Sequence, residues 1–334
     1  MRSAKLIKPG RIEIVDLPKP QPSAGQALVR VRAVGVCGTD IHIWKHGRGD
    51  VTLPLIPGQE LAGVVEAVGH DVTNVAPGER VTLDPVISCG VCRVCRSGHH
   101  NVCPDVRCYG VQCDGGLCEY IAVDAQRLYR FPESLPFEHA CLTEPFSIAV
   151  NIASRAAVLP YDRTVILGAG TIGLTALSVF ASLGACAAVC DLSAKKRELA
   201  KALGAQYVFS SGEQLERELC GFWPEGADVV LDAVGIAPLL EQSLRLAAPA
   251  ARVAVIGFDA SAASVAPACI TRRELTIVGS RMNNHRFPEV LRRFASGELD
   301  PSPFISAVYP LESAQEAFLS AANNPDNIKT VITV

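Results

Sequence analysis

Along residues 27–34 the bulky apolar positions alternate in part with Arg30 and Arg32, and residues 61–68 form another apolar run broken by Gly63 and Glu66. Pro77-Gly78 marks a turn before a short strand at 80–83. Residues 119–123 read as a strand after the loop Tyr109-Gly110-Val111-Gln112-Cys113-Asp114-Gly115-Gly116. Period-two patterning with turn signals at this spacing predicts a compact, barrel-like β domain over roughly the first 140 residues.

From residue 164 the pattern changes to strand and helix in alternation. Strands are predicted at 164–167, 187–190, 228–232, 252–257 and 275–279, and helices at 194–203 and 238–247. Such alternation predicts helices on a parallel sheet. No residue from Val165 to Cys190 is charged, a length that by itself fits a membrane span. Gly168, Gly170, Gly173 and Gly184 cut it into strand, helix and strand, so no span is expected. Helices at 287–296 and 311–322, separated by the Pro-rich 300–303, precede a last strand at 329–334.

Two stretches carry chemistry. Gly168-Ala169-Gly170-Thr171-Ile172-Gly173 follows a predicted strand, opens a helix and has an acid, Asp191, 18 residues after its last glycine. The first two glycines let the backbone turn and approach a pyrophosphate, the third packs helix on strand, and the helix N-terminus favours the phosphate charge. Asp191 suits the ribose hydroxyls of NAD and opposes a 2′-phosphate. Arg197 reads as part of a solvated helix face. The second stretch is Cys37-Gly38-Thr39-Asp40-Ile41-His42 with Gly58-Gln59-Glu60-Leu61-Ala62-Gly63. A thiolate and a carboxylate brought together by a Gly-rich turn can hold zinc, with Thr39 and His42 as a proton path to solvent.

Cys89-x2-Cys92-x2-Cys95-x7-Cys103 supplies four thiolates that close a tetrahedron and leave no position for substrate, a structural zinc lobe over 89–103. Cys108, Cys113 and Cys118 continue the run without ligand spacing and read as structural. Cys186, Cys190, Cys220 and Cys269 read as isolated apolar residues.

Gly58-x-Glu60-x2-Gly63-x5-Gly69-x2-Val72 resembles the signature of zinc-dependent medium-chain alcohol and polyol dehydrogenases. The resemblance implies an α/β fold with a GroES-like β-barrel catalytic domain at 1–147, a doubly wound parallel-sheet (Rossmann) nucleotide-binding domain at 148–286, and a return to the catalytic domain at 287–334. It implies Cys37, Gln59, Glu60 and Glu144 around a catalytic zinc, where the family has His in place of Gln59. It implies Thr39, His42 and Glu60 as catalytic residues. The implied NAD contacts are Gly168, Gly170, Thr171, Ile172, Gly173, Asp191, Lys196, Val234, Gly257, Arg281 and Asn283.

Asp84-Pro85, Asn101-Val102-Cys103, Asp114-Gly115-Gly116, Glu144-Pro145-Phe146 and Arg281-Met282-Asn283 look most like sugar-acid dehydrogenases of the L-galactonate 5-dehydrogenase and starvation-sensing type. The implied reaction is NAD-dependent oxidation of a secondary alcohol on an aldonate or polyol, with Arg48, Arg281 or Arg286 offered to a carboxylate. Gln59 is a weaker zinc donor than imidazole, and Glu60 swinging in to replace it, giving Cys37, Glu60 and Glu144 with water, keeps the enzyme active. Two alternatives stand: Cys37 to Ile43 also resembles L-threonine 3-dehydrogenase, and an empty site makes the chain an NAD-binding non-catalytic or sensor protein. In the family a His commonly stands where Gln112 stands.

With 334 residues and a formal net charge of -3, about two domains are expected, with no basic field for nucleic acid or anionic lipid. The partner expected is a small molecule. Thirteen cysteines without an export signal point to a cytoplasmic protein rather than a disulfide framework, and the family likeness implies a homodimer or homotetramer.

Overall fold

A computed structural model describes residues 1–210, 213–258 and 260–334. They fall into two compact units, Met1–Ser147 with Asn283–Val334, and Ile148–Met282. The chain re-enters the first unit at Asn283 rather than at 287. The cause is local: the Asn283 amide donates to Asp84 at 3.0 Å and that of Asn284 to the Gly98 carbonyl at 2.8 Å.

The first unit is organised on Gln26–Val36, an eleven-residue strand that uses both of its edges. Glu60–Val68 pairs antiparallel along one edge, with Gly35 opposite Glu60. The other edge is divided: Gln26 to Arg30 pair with Tyr120–Asp124, whereas Ala33 to Val36 pair with Lys329–Thr333, Val36 lying opposite Thr330. Register shifts after Leu28 and Val31 turn the strand between the two partners. Glu60 and the strand that opens at Lys329 therefore flank the same end of the central strand, one residue before Cys37. Arg80–Leu83 and Leu128–Arg130 extend the sheet on the far side of Glu60–Val68, and Ile305–Pro310 beyond Lys329–Thr333. Phe146 packs edge to face on both Phe294 and Phe304, with centroids 5.0 Å apart in each pair.

The expected Gly-rich turn after Cys37 is a helix, Gly38–His46. Cys37 is its N-cap: the sulfur accepts the Asp40 N–H at 3.3 Å and the Asp40 carboxylate accepts the Cys37 N–H at 2.9 Å. This is a capping box with a thiol in the place of the usual hydroxyl. Ile43 and Trp44 supply its buried face.

The second unit is a six-stranded parallel sheet in the order Tyr207–Phe209, Cys186–Cys190, Arg163–Leu167, Ala227–Asp232, Ala247–Val255, Thr276–Gly279. Numbered along the chain this is 3-2-1-4-5-6, the doubly wound order whose strand sequence reverses beside Arg163–Leu167. The uncharged stretch is strand, helix Thr171–Ser182 and strand, and its lack of polarity follows from burial of a parallel sheet on both faces. Among the described residues no helix is long and apolar enough to cross a membrane. The strand expected at 252–257 begins at Ala247 and ends at Val255, so Gly257 lies beyond its C-terminus.

Candidate metal centre, cysteine lobe and nucleotide turn

In the first unit Gln59 bonds Cys37, and Glu60 acts electrostatically on both Cys37 and Glu144, within a cluster of buried acids. Asp40, Glu60, Asp84 and Glu144 are each at most 3% exposed. One buried ammonium, that of Lys329, bears on Glu60, Asp40 and Glu144. Glu60 is engaged by Lys329. Its Oε1 accepts from Lys329 Nζ at 2.6 Å, and Lys329 also donates to the Val36 carbonyl at 3.1 Å. The other Glu60 oxygen is buried without a partner and occupies the space that a Cβ on Gly35 would fill. Burial pushes the Glu60 carboxyl up against the pull of Lys329. Burial likewise opposes charge on Lys329, but Glu60 and Cys37 hold its pKa above the usual lysine range.

Glu144, in the first turn of helix Thr143–Arg155, has its carboxyl held well above the ordinary range by burial and then by Glu60. Cys37 is raised by burial, Asp40 and Glu60. A buried, acid-rich cluster of this kind is costly by itself. Cys37, Gln59 and Glu144 are the groups that could hold a divalent cation here, although their donors are not drawn together as those of the cysteine lobe are.

Gln59 shows what a carboxamide does there. Its Nε2 donates to Cys37 Sγ at 3.1 Å, and its Oε1 accepts from Cys108 Sγ at 3.1 Å. Cys108, expected to be merely structural, is thus a neighbour of the centre. Its thiol is raised by burial and then by Glu144 and Asp84. Sequence reasoning missed it because the strand Arg107–Cys108 has two residues and no ligand spacing. Thr39 and His42, three residues apart on the Gly38–His46 helix, share a face. Thr39 is half-buried, and the exposed His42 ring lies 5.4 Å from that of His46. His42 is a helix residue.

Among the described residues the four-cysteine lobe is the group of side chains already gathered for an ion, with all four sulfurs within 4.8 Å of one another. Cys89 to Cys103 is 3.5 Å, and Cys89 to Cys95 and Cys92 to Cys103 are each 3.9 Å. A tetrahedron with Zn–S of about 2.3 Å has edges of about 3.8 Å, so the thiols fit zinc without rearrangement. The Val91 and Cys92 backbone N–H groups bring Cys89 down to about 7. Cys95→Ser should remove this zinc while leaving NADH binding intact. The loss in zinc affinity should exceed the roughly 10–100-fold typical of an outer-shell partner, as read by elemental analysis after dialysis and by new proteolytic cleavage within 89–103.

In the second unit Gly168 has φ +96°, and a Cβ on Gly173 would stand 1.9 Å from the Gly168 carbonyl oxygen. Gly170 caps the helix that begins at Thr171, and Ile172 is half-buried in its first turn. Asp191 accepts from Ala169 N at 2.7 Å and Ser193 N at 2.8 Å, which fixes its carboxylate at the end of strand Cys186–Cys190. Arg197 is not a solvated residue: it donates to the Asp191 and Leu192 carbonyls at 2.6 and 2.9 Å. Lys196 is half-buried in the first turn of Ala194–Ala202. Val234 is 50% exposed beside Gly235, whose backbone passes so near Gly257 that neither has room for a Cβ. Asp232 was not singled out, yet its Oδ1 accepts from Val234 N and Gly235 N and shapes that turn. Arg281 lies 5.9 Å from the Phe258 ring centroid. Asn283 belongs to the first unit, fully buried against Asp84.

Comparison with known proteins covers both units. The alcohol dehydrogenase GroES-like domain profile matches residues 23–133, and the zinc-binding dehydrogenase profile matches residues 171–296. The starvation-sensing protein RspB of Escherichia coli K12 is 34% identical over 95% of this chain and 94% of its own. D-altritol 5-dehydrogenase of Agrobacterium fabrum C58 is 35% identical over 98% of both chains. An alcohol dehydrogenase of Escherichia coli CFT073, solved with NADH, superimposes with a TM-score of 0.95 at 32% identity, covering 100% of this chain and 99% of its own. On these sequences and this fold, the chain is an oxidoreductase that belongs to the zinc-type medium-chain polyol dehydrogenase family.

Proposed function

We propose that the protein oxidises a secondary alcohol of a polyol or sugar acid, with NAD as hydride acceptor, at a metal site built on Cys37 and Glu144. The observation that carries the reading is the buried acidic pocket around Cys37, Gln59 and Glu144, with Thr39 and His42 on the adjoining helix. Zinc, when bound, supplies a Lewis acid that lowers the pKa of the substrate hydroxyl. Thr39 takes the alcohol proton and His42, exposed at the next turn, passes it to water. Lys329 keeps Glu60 from competing as a ligand, and Asp40 keeps Cys37 at the helix N-terminus. The carboxylate of Asp191 supports NAD over NADP.

The pairing of Arg48 bears on substrate class. It bonds Asp50 through Nε at 2.5 Å and Nη2 at 2.9 Å, and Gln112 donates to the same carboxylate at 2.8 Å. Arg286 pairs with Glu289 at 3.8 Å. With two of the three candidate arginines already matched, a neutral polyol is favoured over an L-galactonate-like aldonate. All thirteen cysteines are free thiols, which supports a cytoplasmic setting, and assembly as a homodimer or homotetramer is part of the same proposal.

The test is zinc per chain in protein purified without chelator, beside Gln59→His, with NAD reduction followed on polyols, aldonates and threonine. About two zincs and turnover of a polyol are expected. About one zinc, rising to two in Gln59→His, would transfer the reading to a non-catalytic NAD-binding protein. Turnover of threonine alone would replace the substrate class.

A further inference from the structure

We propose that Cys108 is a ligand of the catalytic metal, supplying the donor that the family's imidazole at position 59 supplies elsewhere, so that the protein set is Cys37, Cys108 and Glu144. The assignment rests on the reading of this pocket as a metal centre and adds to it a residue from a different strand; it requires the three donors to draw together as the Gln59 carboxamide withdraws from between the thiols, since among the described residues only the cysteine lobe is already gathered.

Three observations carry it. The sulfurs of Cys37 and Cys108 reach one and the same carboxamide, each at 3.1 Å, so Gln59 stands between two thiols as donor to one and acceptor from the other. A neutral carboxamide is the poorest donor of the three for a borderline-soft ion, whereas a pair of thiolates with a carboxylate is a strong set. Cys108 is also held for the role by its backbone. It pairs with Val86 in a two-stranded ladder, its N–H donates to Gln112 Oε1 at 2.8 Å, and it is 5% exposed. Finally, the neighbouring thiols are engaged differently. Cys113 donates to the Cys108 carbonyl, Cys118 to those of Gly115 and Tyr120, and Cys141 to that of Glu138. Cys108 directs its sulfur to a side chain of the centre.

Metal exchange distinguishes this from a packing role. The lobe is kept in its zinc form, the second site is loaded with Co(II), and the thiolate-to-cobalt charge-transfer band is recorded for the natural protein, Cys108→Ser and Cys37→Ser. Two thiolates predict a natural band about twice that of either variant, and affinity for the second ion should fall by at least about tenfold in each. Lobe zinc and NADH binding serve as the check that each variant is folded. A natural band of one-thiolate intensity overturns the proposal without any variant, as does a Cys108→Ser spectrum and affinity equal to those of the natural protein. Both results leave the zinc site itself standing. A natural protein that takes up no second ion overturns the metal-centre reading, and this assignment with it.

Discussion

Lys329→Met should destabilise the first unit by about 3–5 kcal/mol, the cost of leaving a buried carboxylate without its counter-ion. The two side chains are each 2% exposed and 2.6 Å apart, so water cannot replace the lost ammonium. Each unit holds one tryptophan, Trp44 in the first and Trp223 in the second, and both are buried. Urea unfolding followed by fluorescence in a Trp223→Phe background therefore reports the first unit alone. The loss should depend on pH with a defined sign. Burial raises the Glu60 carboxyl in the folded chain above its unfolded value, so the folded state binds that proton more tightly. Stability of Lys329→Met is then greatest below the ordinary carboxyl range and declines as pH rises through the raised value. Adding Glu60→Gln should recover at least half of the loss. If the single and double variants unfold together, the pair contributes nothing beyond packing.

Gly173→Val should weaken NADH binding by about 10–100-fold, equivalent to about 1–3 kcal/mol of overpacking transmitted to the turn. The reason is a collision with backbone, not with a side chain that can move: the Gly168 carbonyl lies 1.9 Å from the position of the new Cβ. Relief requires the helix Thr171–Ser182 to lift from strand Arg163–Leu167, which displaces the N–H groups at its start. Gly221 provides the contrast. It lies in helix Glu213–Phe222 with nothing within 4 Å of an added Cβ, and Gly221→Ala should leave NADH binding unchanged while stabilising by about 0.4–1 kcal/mol. Equal effects at the two positions, measured by fluorescence titration, would remove the special role of Gly173.

The signature glycines show why much of this chain is legible. A Cβ on Gly63 would stand 2.4 Å from the Arg30 carbonyl, and one on Gly69 1.8 Å from that of Ser23. Gly63 records where one strand lies against another and Gly69 where the segment after that strand meets the turn before Gln26, local demands that leave a local trace. The same holds for the nucleotide turn, the cysteine lobe and the alternation of strands and helices. The ion pair between Glu60 and Lys329, and the bridge from Gln59 to Cys108, leave no such trace. They depend on strands that meet through register, and the available hint is a lysine heading the apolar strand Lys-Thr-Val-Ile-Thr at 329–333. The helix at Gly38–His46 escaped for a different reason. A cysteine is not among the usual N-cap residues, although Asp40 at the third helical position completes the box.

The pairing of Glu60 with Lys329 also orders events during synthesis. The sheet of the second unit is built from a continuous stretch, Ile148–Met282, and such a module can fold as soon as it has left the ribosome. The first unit cannot. Glu60 waits for a partner made 269 residues later, and until that lysine emerges its carboxylate has no counter-ion to carry it into the interior. The nucleotide module is thus a finished body while the pocket around Cys37 is still open to water, and the strand beginning at Lys329 is what closes it.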